Sequence, residues 1–262
     1  MSRVVASLAN PAVKAARALH MRKAREETGL FLAEGLRTVA EAVDLGRAPN
    51  RLFFAAEAGI HPLLRRAEAA TTAAGGEVVE VSREALAKIS RRDNPQTVVG
   101  VFEQSFAPLA SLAPGAARCW VALEAVRDPG NLGTIVRTAD AAGLGGVILV
   151  GECCDPYSVE AVRATMGSIF AVRIARASTP DFLAWRETWP GAVVGTHLAA
   201  ATDFRAASYA PPSLILMGNE QAGLTPALAA ACDVTVKIPM RGRADSLNLA
   251  VATGVMIYAA SG

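Results

Sequence analysis

The chain has 262 residues, of which 52% are hydrophobic and 19% charged, so it is a folded protein and not a disordered one. That length allows two domains with sizeable cores and excludes a single small domain. A formal net charge of only +2 gives the whole molecule little electrostatic attraction for nucleic acid. The apolar runs are shorter than about 18 residues and the N-terminus shows no hydrophobic signal core, so we expect a soluble cytoplasmic protein without a membrane segment.

The cysteines and histidines predict no metal centre. The cysteines show no C-x-x-C spacing, and the adjacent pair Cys153-Cys154 suits neither a disulfide nor a zinc site. The three histidines form no visible cluster with them. We therefore expect reduced thiols and no bound metal.

Positive charge is concentrated at the N-terminus. Residues 1–25 contain no acidic residue and six basic ones, namely Arg3, Lys14, Arg17, Arg22, Lys23 and Arg25. Asn10-Pro11 is typical of a helix start, and apolar residues then recur at helical spacing. The Arg91-Arg92 pair adds a second basic spot in the same half. Such a helix serves either as a solvated cationic face or as a contact for RNA phosphates.

The first half of the chain predicts a small α/β domain. Strands are predicted at 31–33, 52–54, 77–81 and 98–103, and helices at 35–45, 62–73 and 83–90. The stretch 105–117 contains prolines and glycine without a strong period, which indicates a linker. We therefore predict one domain over 1–108 and a second over 117–262.

The second half alternates apolar strands with helices. Strands are predicted at 120–123, 147–150, 170–174, 192–195, 214–217 and 234–238, and helices at 132–142, 159–166, 180–185, 226–231 and 247–260. This alternation indicates a parallel sheet covered on both faces. Ser246 stands where the N-cap of the last helix is expected. Taken by itself, the pattern favours an unknotted connection of the strands.

Three polar loops follow strands in this half, at the places where α/β sheets bind ligands. They read Asn131-Leu132-Gly133 with Arg137, then Met217-Gly218-Asn219-Glu220 with Gly223-Leu224, then Ile238-Pro239-Met240 with Ser246-Leu247-Asn248. Together they resemble the three motifs of the SpoU (TrmH-like) class of RNA ribose 2′-O-methyltransferases. A weaker resemblance, over 10–14, 22–25 and 31–35, links the N-terminus to the substrate-binding domain that many members carry.

The resemblance implies a fold, a cofactor and partners. The fold would be an N-terminal L30e-like α/β sandwich followed by a C-terminal parallel-sheet SPOUT domain with a trefoil knot. The cofactor would be S-adenosylmethionine, and the partner would be RNA, with 23S ribosomal RNA favoured over transfer RNA. It also implies a homodimer, because members of the class build the RNA site from two subunits. Alanines and glycines in the last helix suit close packing between helices.

The resemblance also implies the functional residues. The catalytic set is Arg137, Asn131, Glu220, Ser246 and Asn248. The cofactor-binding set is Thr196, His197, Leu198, Gly218, Ile238, Met240 and Leu247. The RNA-binding set is Lys14, Arg17, Arg22, Lys23 and Arg25. An arginine keeps its proton at ordinary pH, so Arg137 is expected to position a phosphate with its planar fork and to help the 2′-hydroxyl lose its proton.

Other interpretations remain open at this point. Arg137 could form a surface salt bridge with Asp140, Glu220 could be a carboxylate at a helix start, and the aliphatic pocket residues could be plain core. Leu249 and Ala250 stand where valine and serine are frequent in the third motif. The alternative functions are a transfer RNA methyltransferase and a non-catalytic RNA-binding assembly factor. A nucleotide-binding oxidoreductase is disfavoured because 124–133 contains no G-x-G-x-x-G.

Overall fold

The computed structural model describes residues 10–262, so Arg3 lies outside the described residues. Two compact units are present. The first contains residues 10–104 together with Asp155–Ala171, and the second contains Ser105–Cys154 and Val172–Gly262.

The secondary structure is named here in chain order. The helices are α1 Pro11–Ala18, α2 Arg22–Thr28, α3 Leu36–Asp44, α4 Pro62–Ala73, α5 Arg83–Ser90, α6 Pro129–Ala141, α7 Val159–Thr165, α8 Thr179–Arg186, α9 Pro226–Ala230 and α10 Leu249–Ser261. The strands are β1 Leu30–Glu34, β2 Arg51–Ala55, β3 Glu77–Val81, β4 Val98–Glu103, β5 Cys119–Glu124, β6 Val147–Val150, β7 Ile174–Ala177, β8 Val193–Thr196, β9 Thr202–Asp203, β10 Ser213–Met217 and β11 Val234–Lys237. Among residues 10–262, every helix falls short of the length and apolarity that a membrane crossing needs.

The first unit is built on a four-stranded mixed sheet in the order β1-β4-β2-β3. Strand β4 pairs antiparallel with both β1 and β2, whereas β2 and β3 are parallel. Helix α1 begins as predicted, because the Asn10 side chain accepts a hydrogen bond from the Ala12 amide at 2.8 Å and Pro11 needs no partner for its nitrogen. Its face with Val13 and Ala16 is buried in the core with Leu86 and Ile89 of α5.

The segment Asp155–Ala171 belongs to the first unit although it follows β6 of the second. Its aromatic side chains pack on Phe31 of β1. The centroid of the Phe31 ring lies 4.6 Å from that of the Tyr157 ring and 5.7 Å from that of the Phe170 ring. The sequence predicts helix 159–166 in the second domain and carries no signal for this packing. The division into domains 1–108 and 117–262 stays a prediction.

Arg25 corrects one RNA-binding expectation. Its side chain is only 4% exposed, and its Nε donates to the Asp155 carboxylate at 2.7 Å. Its guanidinium also donates to the backbone carbonyls of Leu19 and His20, at 2.8 and 3.0 Å. An arginine buried in this way cannot contact RNA, so the prediction for Arg25 is wrong and the residue is structural.

Replacing Arg25 by alanine is expected to destabilise the protein by about 3 kcal/mol or more, because the substitution leaves the buried Asp155 carboxylate without its cation. Urea unfolding measures this effect as a shift of the transition midpoint. Lys23→Ala is the matched control, since Lys23 lies on the same helix with its side chain 85% exposed, and its pair with Glu27 is worth less than about 1 kcal/mol. Equal midpoints for the two variants would contradict the structural role of Arg25.

The second unit confirms the predicted parallel sheet. Its seven strands lie in the order β7-β6-β5-β10-β8-β11-β9, and all neighbouring strands are parallel. Strands β5, β6 and β10 are buried along their whole length, which explains their continuous apolar sequences. The strand predicted at 170–174 is wrong in position, because Ser168–Phe170 forms a 3-10 turn and β7 begins at Ile174.

The N-cap of the last helix also differs from the prediction. The cap is Asn248, whose side-chain oxygen accepts from the amides of Ala250 and Val251 at 2.9 and 3.3 Å. Ser246 lies two residues earlier, and its hydroxyl donates instead to the Asp245 carboxylate at 3.3 Å. Asparagine and serine cap helices about equally well, so the sequence alone did not decide between them.

Candidate active site

A pocket lies at the carboxyl ends of the neighbouring strands β8, β10 and β11. The loops that follow these strands form its wall, as expected for a ligand site in a parallel sheet. All seven residues predicted to bind the cofactor line this one pocket: Thr196, His197, Leu198, Gly218, Ile238, Met240 and Leu247. Glu220 and Ser246 of the predicted catalytic set line it as well.

The loop after β10 is held in a tight turn. The amide of Asn219 donates to the carbonyl of Gly223, and the amide of Gly223 donates back, both at 3.0 Å. A β-carbon at Gly218 would overlap the backbone of Gly223 and Leu224, so this position accepts no side chain. The Asn219 side chain fixes the turn further, because it accepts from the Gln221 amide and donates to the Ala125 carbonyl at 2.9 and 2.8 Å.

Glu220 is surrounded by N–H donors from the start of α6. Its carboxylate accepts from the backbone amides of Arg127 and Asp128 at 3.3 Å and from the Asn131 side chain at 3.4 Å. The positive end of the α6 dipole favours a carboxylate at this place. Asp128 caps the same helix through a 2.6 Å bond from the Asn131 amide. The second loop is therefore tied to the first by charge-assisted hydrogen bonds.

Asn131 and Asn248 join the starts of α6 and α10. The Nδ2 of Asn248 donates to the Oδ1 of Asn131 at 2.9 Å. The oxygen of Asn248 already accepts from its own helix, so only its nitrogen is free to face Asn131. That contact in turn directs the amide nitrogen of Asn131 toward Glu220. One continuous chain of hydrogen bonds thus connects residues of all three sequence motifs.

The structure places Arg137 apart from this cluster. Arg137 is exposed on α6 and does not line the pocket. In the part of the chain that the structure describes, its guanidinium has no hydrogen bond or ion pair, so the alternative pairing with Asp140 is not formed. A free guanidinium at the surface is available to a ligand outside this chain.

The alternative placed the Glu220 carboxylate at the start of the helix that follows it, whereas it lies at the start of α6. Helix α9 is preceded by Thr225, whose amide donates at 2.8 Å to Glu124 and not to Glu220. Glu124 is 6% exposed at the end of β5, and no role was predicted for it from the sequence. The signal in the sequence was a charged residue, Glu124, directly after the apolar residues of β5.

The four cysteines form no disulfide bond within the described residues. Burial raises the pKa of the Cys119 and Cys153 thiols, and it raises the pKa of Cys232 to about 12. These three thiols therefore stay protonated at neutral pH and are poor nucleophiles. Within residues 10–262, no group of three or more His, Cys, Asp or Glu side chains is arranged to hold a metal ion.

The other predicted RNA-binding residues lie on the first unit. Lys14 and Arg17 are exposed on α1, and Arg22 and Lys23 are exposed on α2. On α2 the charges are paired along the helix, with Arg22 Nε 2.7 Å from Glu26 and Lys23 Nζ 3.8 Å from Glu27. The cationic face of α2 is therefore partly neutralised.

Fold and site together define an α/β enzyme with a small-molecule pocket at the strand ends and a polar cluster beside it. Residues 118–258 match the SpoU rRNA Methylase family, and residues 10–100 match an MRM3-like substrate binding domain. The chain belongs to the SpoU rRNA Methylase family. This membership confirms the predicted class, an RNA ribose 2′-O-methyltransferase that uses S-adenosylmethionine.

Relatives and solved structures resemble the chain over nearly its full length. It is 30% identical to the 23S rRNA (guanosine(2553)-2′-O)-methyltransferase RlmP of Bacillus subtilis, over 97% of each chain. An AdoMet-bound rRNA methyltransferase from Sinorhizobium meliloti superimposes with a TM-score of 0.93 and 52% identity, covering 99% of this chain and 97% of that one. A structure concerned with 2-OH methylation of C/U34 on tRNA matches 56% of this chain and 95% of that one, with 29% identity and a TM-score of 0.51.

Proposed function

We propose that this chain transfers a methyl group from S-adenosylmethionine to a ribose 2′-oxygen of 23S ribosomal RNA. The observation that carries the proposal is the convergence of all seven predicted cofactor residues on one pocket that Glu220 and Ser246 also line. The ribosomal substrate is supported by relatives of that activity, which match both halves of the chain. The transfer RNA alternative has weaker support, because that likeness covers only about half of the chain.

The pocket fits the cofactor chemically. Aliphatic side chains of Ile238, Met240 and Leu247 offer apolar surface for a flat adenine ring, and Gly218 lets a ligand approach the backbone closely. When bound, S-adenosylmethionine supplies an activated methyl group. The role of the chain is to hold the acceptor ribose in line with that group and to manage one proton.

The hydrogen-bonded cluster suits the orientation of a ribose. Asn248 donates to Asn131 at 2.9 Å, and Glu220 accepts from four N–H groups, those of Arg127, Asp128, Asn131 and Asn219. These groups are therefore already in place before RNA binds. Ser246 adds a hydroxyl at the pocket wall. We assign the orienting role to Asn131, Asn248, Glu220 and Ser246.

Arg137 is assigned to the RNA backbone. Its guanidinium is exposed and unpaired within the described residues, which leaves its planar fork available to a phosphate. A phosphate held in this way would place the neighbouring 2′-hydroxyl, and the positive charge would favour loss of its proton.

We also propose a homodimer in the cytoplasm. Val251 and Tyr258 of α10 are 54% and 60% exposed, and they provide apolar surface on a helix that is rich in small residues. One isologous two-fold contact would bury it. Light scattering that gave a monomer mass at micromolar concentration for the fully active enzyme would contradict the dimer.

A trefoil knot and a domain boundary within 105–117 complete the proposal. Strand β10 lies between β5 and β8, and β11 lies between β8 and β9. Strands late in the chain thus lie between earlier ones, an order that a chain passing through its own loop to form a knot requires. An experimental structure whose backbone contained no knot would contradict this proposal.

The match to the substrate-binding domain ends at residue 100 and the match to the methylase family begins at 118, which supports a boundary within 105–117. Limited proteolysis that never cut there would contradict this boundary.

The test of function uses an unmodified 23S rRNA transcript, a total transfer RNA pool and labelled S-adenosylmethionine. We expect label in the 23S rRNA and one gap in its alkaline hydrolysis ladder, because a methylated 2′-oxygen cannot attack the adjacent phosphate. Label in transfer RNA alone would contradict the assignment of 23S ribosomal RNA as the substrate. A methylated product whose hydrolysis ladder has no gap would contradict the assignment of the ribose 2′-oxygen as the methyl acceptor.

A further inference from the structure

A surface depression of the first unit lies where α1 meets the end of α5. We call it the cationic depression; it is lined by Arg17, Ala87, Lys88, Arg91, Arg92 and Asp93. Four of these residues are cations and one is an anion, so the formal charge of the lining is 4 − 1 = +3. Much of the positive surface therefore lies beyond the first 25 residues, at the end of α5.

These cations are uncompensated, in contrast to other arginines of the same unit. Within residues 10–262, the side chains of Arg17, Lys88, Arg91 and Arg92 form no hydrogen bond or ion pair, and all four residues are exposed. Elsewhere in the unit, Arg51 pairs with Glu77, Arg65 with Glu68 and Arg66 with Asp44, at 2.7 to 3.0 Å. Four converging free cations repel one another and favour a bound anion.

Helix capping does not account for the cluster. The last carbonyls of α5, on Ile89 and Ser90, already accept from His20 at 2.7 Å and from Arg163 at 2.8 Å. The negative end of the helix dipole explains Lys88 in the last turn, but not Arg17, which comes from α1. Arg91 adopts the left-handed conformation at φ 53°, which a glycine would adopt without cost.

We infer that the cationic depression binds the phosphodiester backbone of the RNA substrate. This inference rests on the proposed function, since it names the contact that the first unit makes with that RNA. The arginine forks match phosphate oxygens bidentately, and a repeating polyanion can satisfy several cations at once. It keeps Arg17 from the predicted RNA-binding set and adds the cations of α5. It leaves out α2, where Arg25 is buried and Arg22 and Lys23 are paired.

The test compares two variants that each lose two arginines from the first unit. Arg17→Gln/Arg92→Gln removes charge from the depression, and Arg65→Gln/Arg66→Gln is the control, on the exposed face of α4. Affinity for the 23S rRNA transcript is measured by filter binding from 50 to 300 mM salt. We expect the affinity of the depression variant to fall at least tenfold. The slope of log affinity against log salt concentration should become shallower by about 2, because each phosphate contact contributes about 0.9 to it. The control should stay within twofold of the parent.

Kinetics separate this inference from the proposed function. At saturating RNA the depression variant should keep the parental kcat, with KM for RNA raised by the same factor as the dissociation constant. A parent that binds 23S rRNA without methylating it would overturn the proposed function, while the difference in salt slope would still support the depression. Equal affinities and slopes for parent, variant and control would overturn the inference.

His20 provides a second readout that a purely structural role would not move. Its pKa is lowered mainly by burial and further by Arg91 and Arg163, whereas its bond to the Ile89 carbonyl and the charge of Glu34 raise it. A phosphate beside Arg91 offsets part of that positive field, so the His20 pKa should rise when RNA binds the parent. NMR titration of the imidazole measures the pKa. An unchanged value in the parent complex would place the phosphate elsewhere and overturn the inference.

Discussion

Replacing Arg137 by lysine is expected to slow methyl transfer by about a hundredfold or more and to leave the affinity for S-adenosylmethionine unchanged. Lysine keeps the positive charge but lacks the planar fork that we assign to a phosphate. A hundredfold loss corresponds to about 2.7 kcal/mol of transition-state stabilisation. The cofactor affinity should be spared because Arg137 does not line the pocket.

Single-turnover methylation of the 23S rRNA transcript measures the rate, and calorimetry measures cofactor binding. Arg205→Lys is the matched control, because Arg205 is an exposed arginine of the same unit whose fork binds Asp203 at 2.6 and 3.0 Å. The control should remain within twofold of the parent. If the Arg137→Lys enzyme were as fast as the parent, charge alone would suffice and the fork would have no role.

The second large effect concerns Gly218. A methyl group at this position would collide with the backbone of Gly223 and Leu224, and backbone atoms cannot move aside as a flexible side chain can. Gly218→Ala should force the turn open, displace Glu220 from its donors and lower cofactor affinity at least a hundredfold, about 2.7 kcal/mol.

Gly242→Ala is the matched control, because Gly242 lies in the loop after β11 and a β-carbon there would meet nothing within 4 Å. Calorimetry of both variants against S-adenosylmethionine gives the comparison, with circular dichroism to check the fold. Leu247→Arg tests the same pocket without touching the backbone. Leu247 lines the pocket, and a bound adenine ring would have to desolvate the charge placed there, which is costly. Parental affinity in both Gly218→Ala and Leu247→Arg would show that the pocket is assigned wrongly.

The sequence was informative where a short pattern determines the structure. Continuous apolar runs predicted β5, β6 and β10, and the glycine after β10 marked the turn that admits no side chain. The residues predicted to bind the cofactor came from the resemblance, and the parallel sheet brings them to one pocket because its strands end at the same edge.

Contacts between residues far apart in the chain could not be predicted. Arg25 looked like a surface cation because its partner Asp155 is 130 residues away. The helix cap fell on Asn248 because its amide also reaches Asn131, across 117 residues. The cationic depression could not be predicted for a similar reason, since Arg17 and the Arg91-Arg92 pair are separate basic spots in the sequence and line one depression only when α1 packs on α5.

The origin of Asp155–Ala171 has a consequence for biosynthesis. The first unit receives Asp155, Tyr157 and Phe170 from a stretch that the ribosome makes only after β5 and β6 of the second unit. Until that stretch emerges, Arg25 lacks its carboxylate and Phe31 lacks two ring neighbours. N-terminal units generally fold first during translation, but this one cannot be completed before residue 171 is released. A nascent chain arrested near residue 110 would therefore expose apolar surface to chaperones, even though its four-stranded sheet is already encoded.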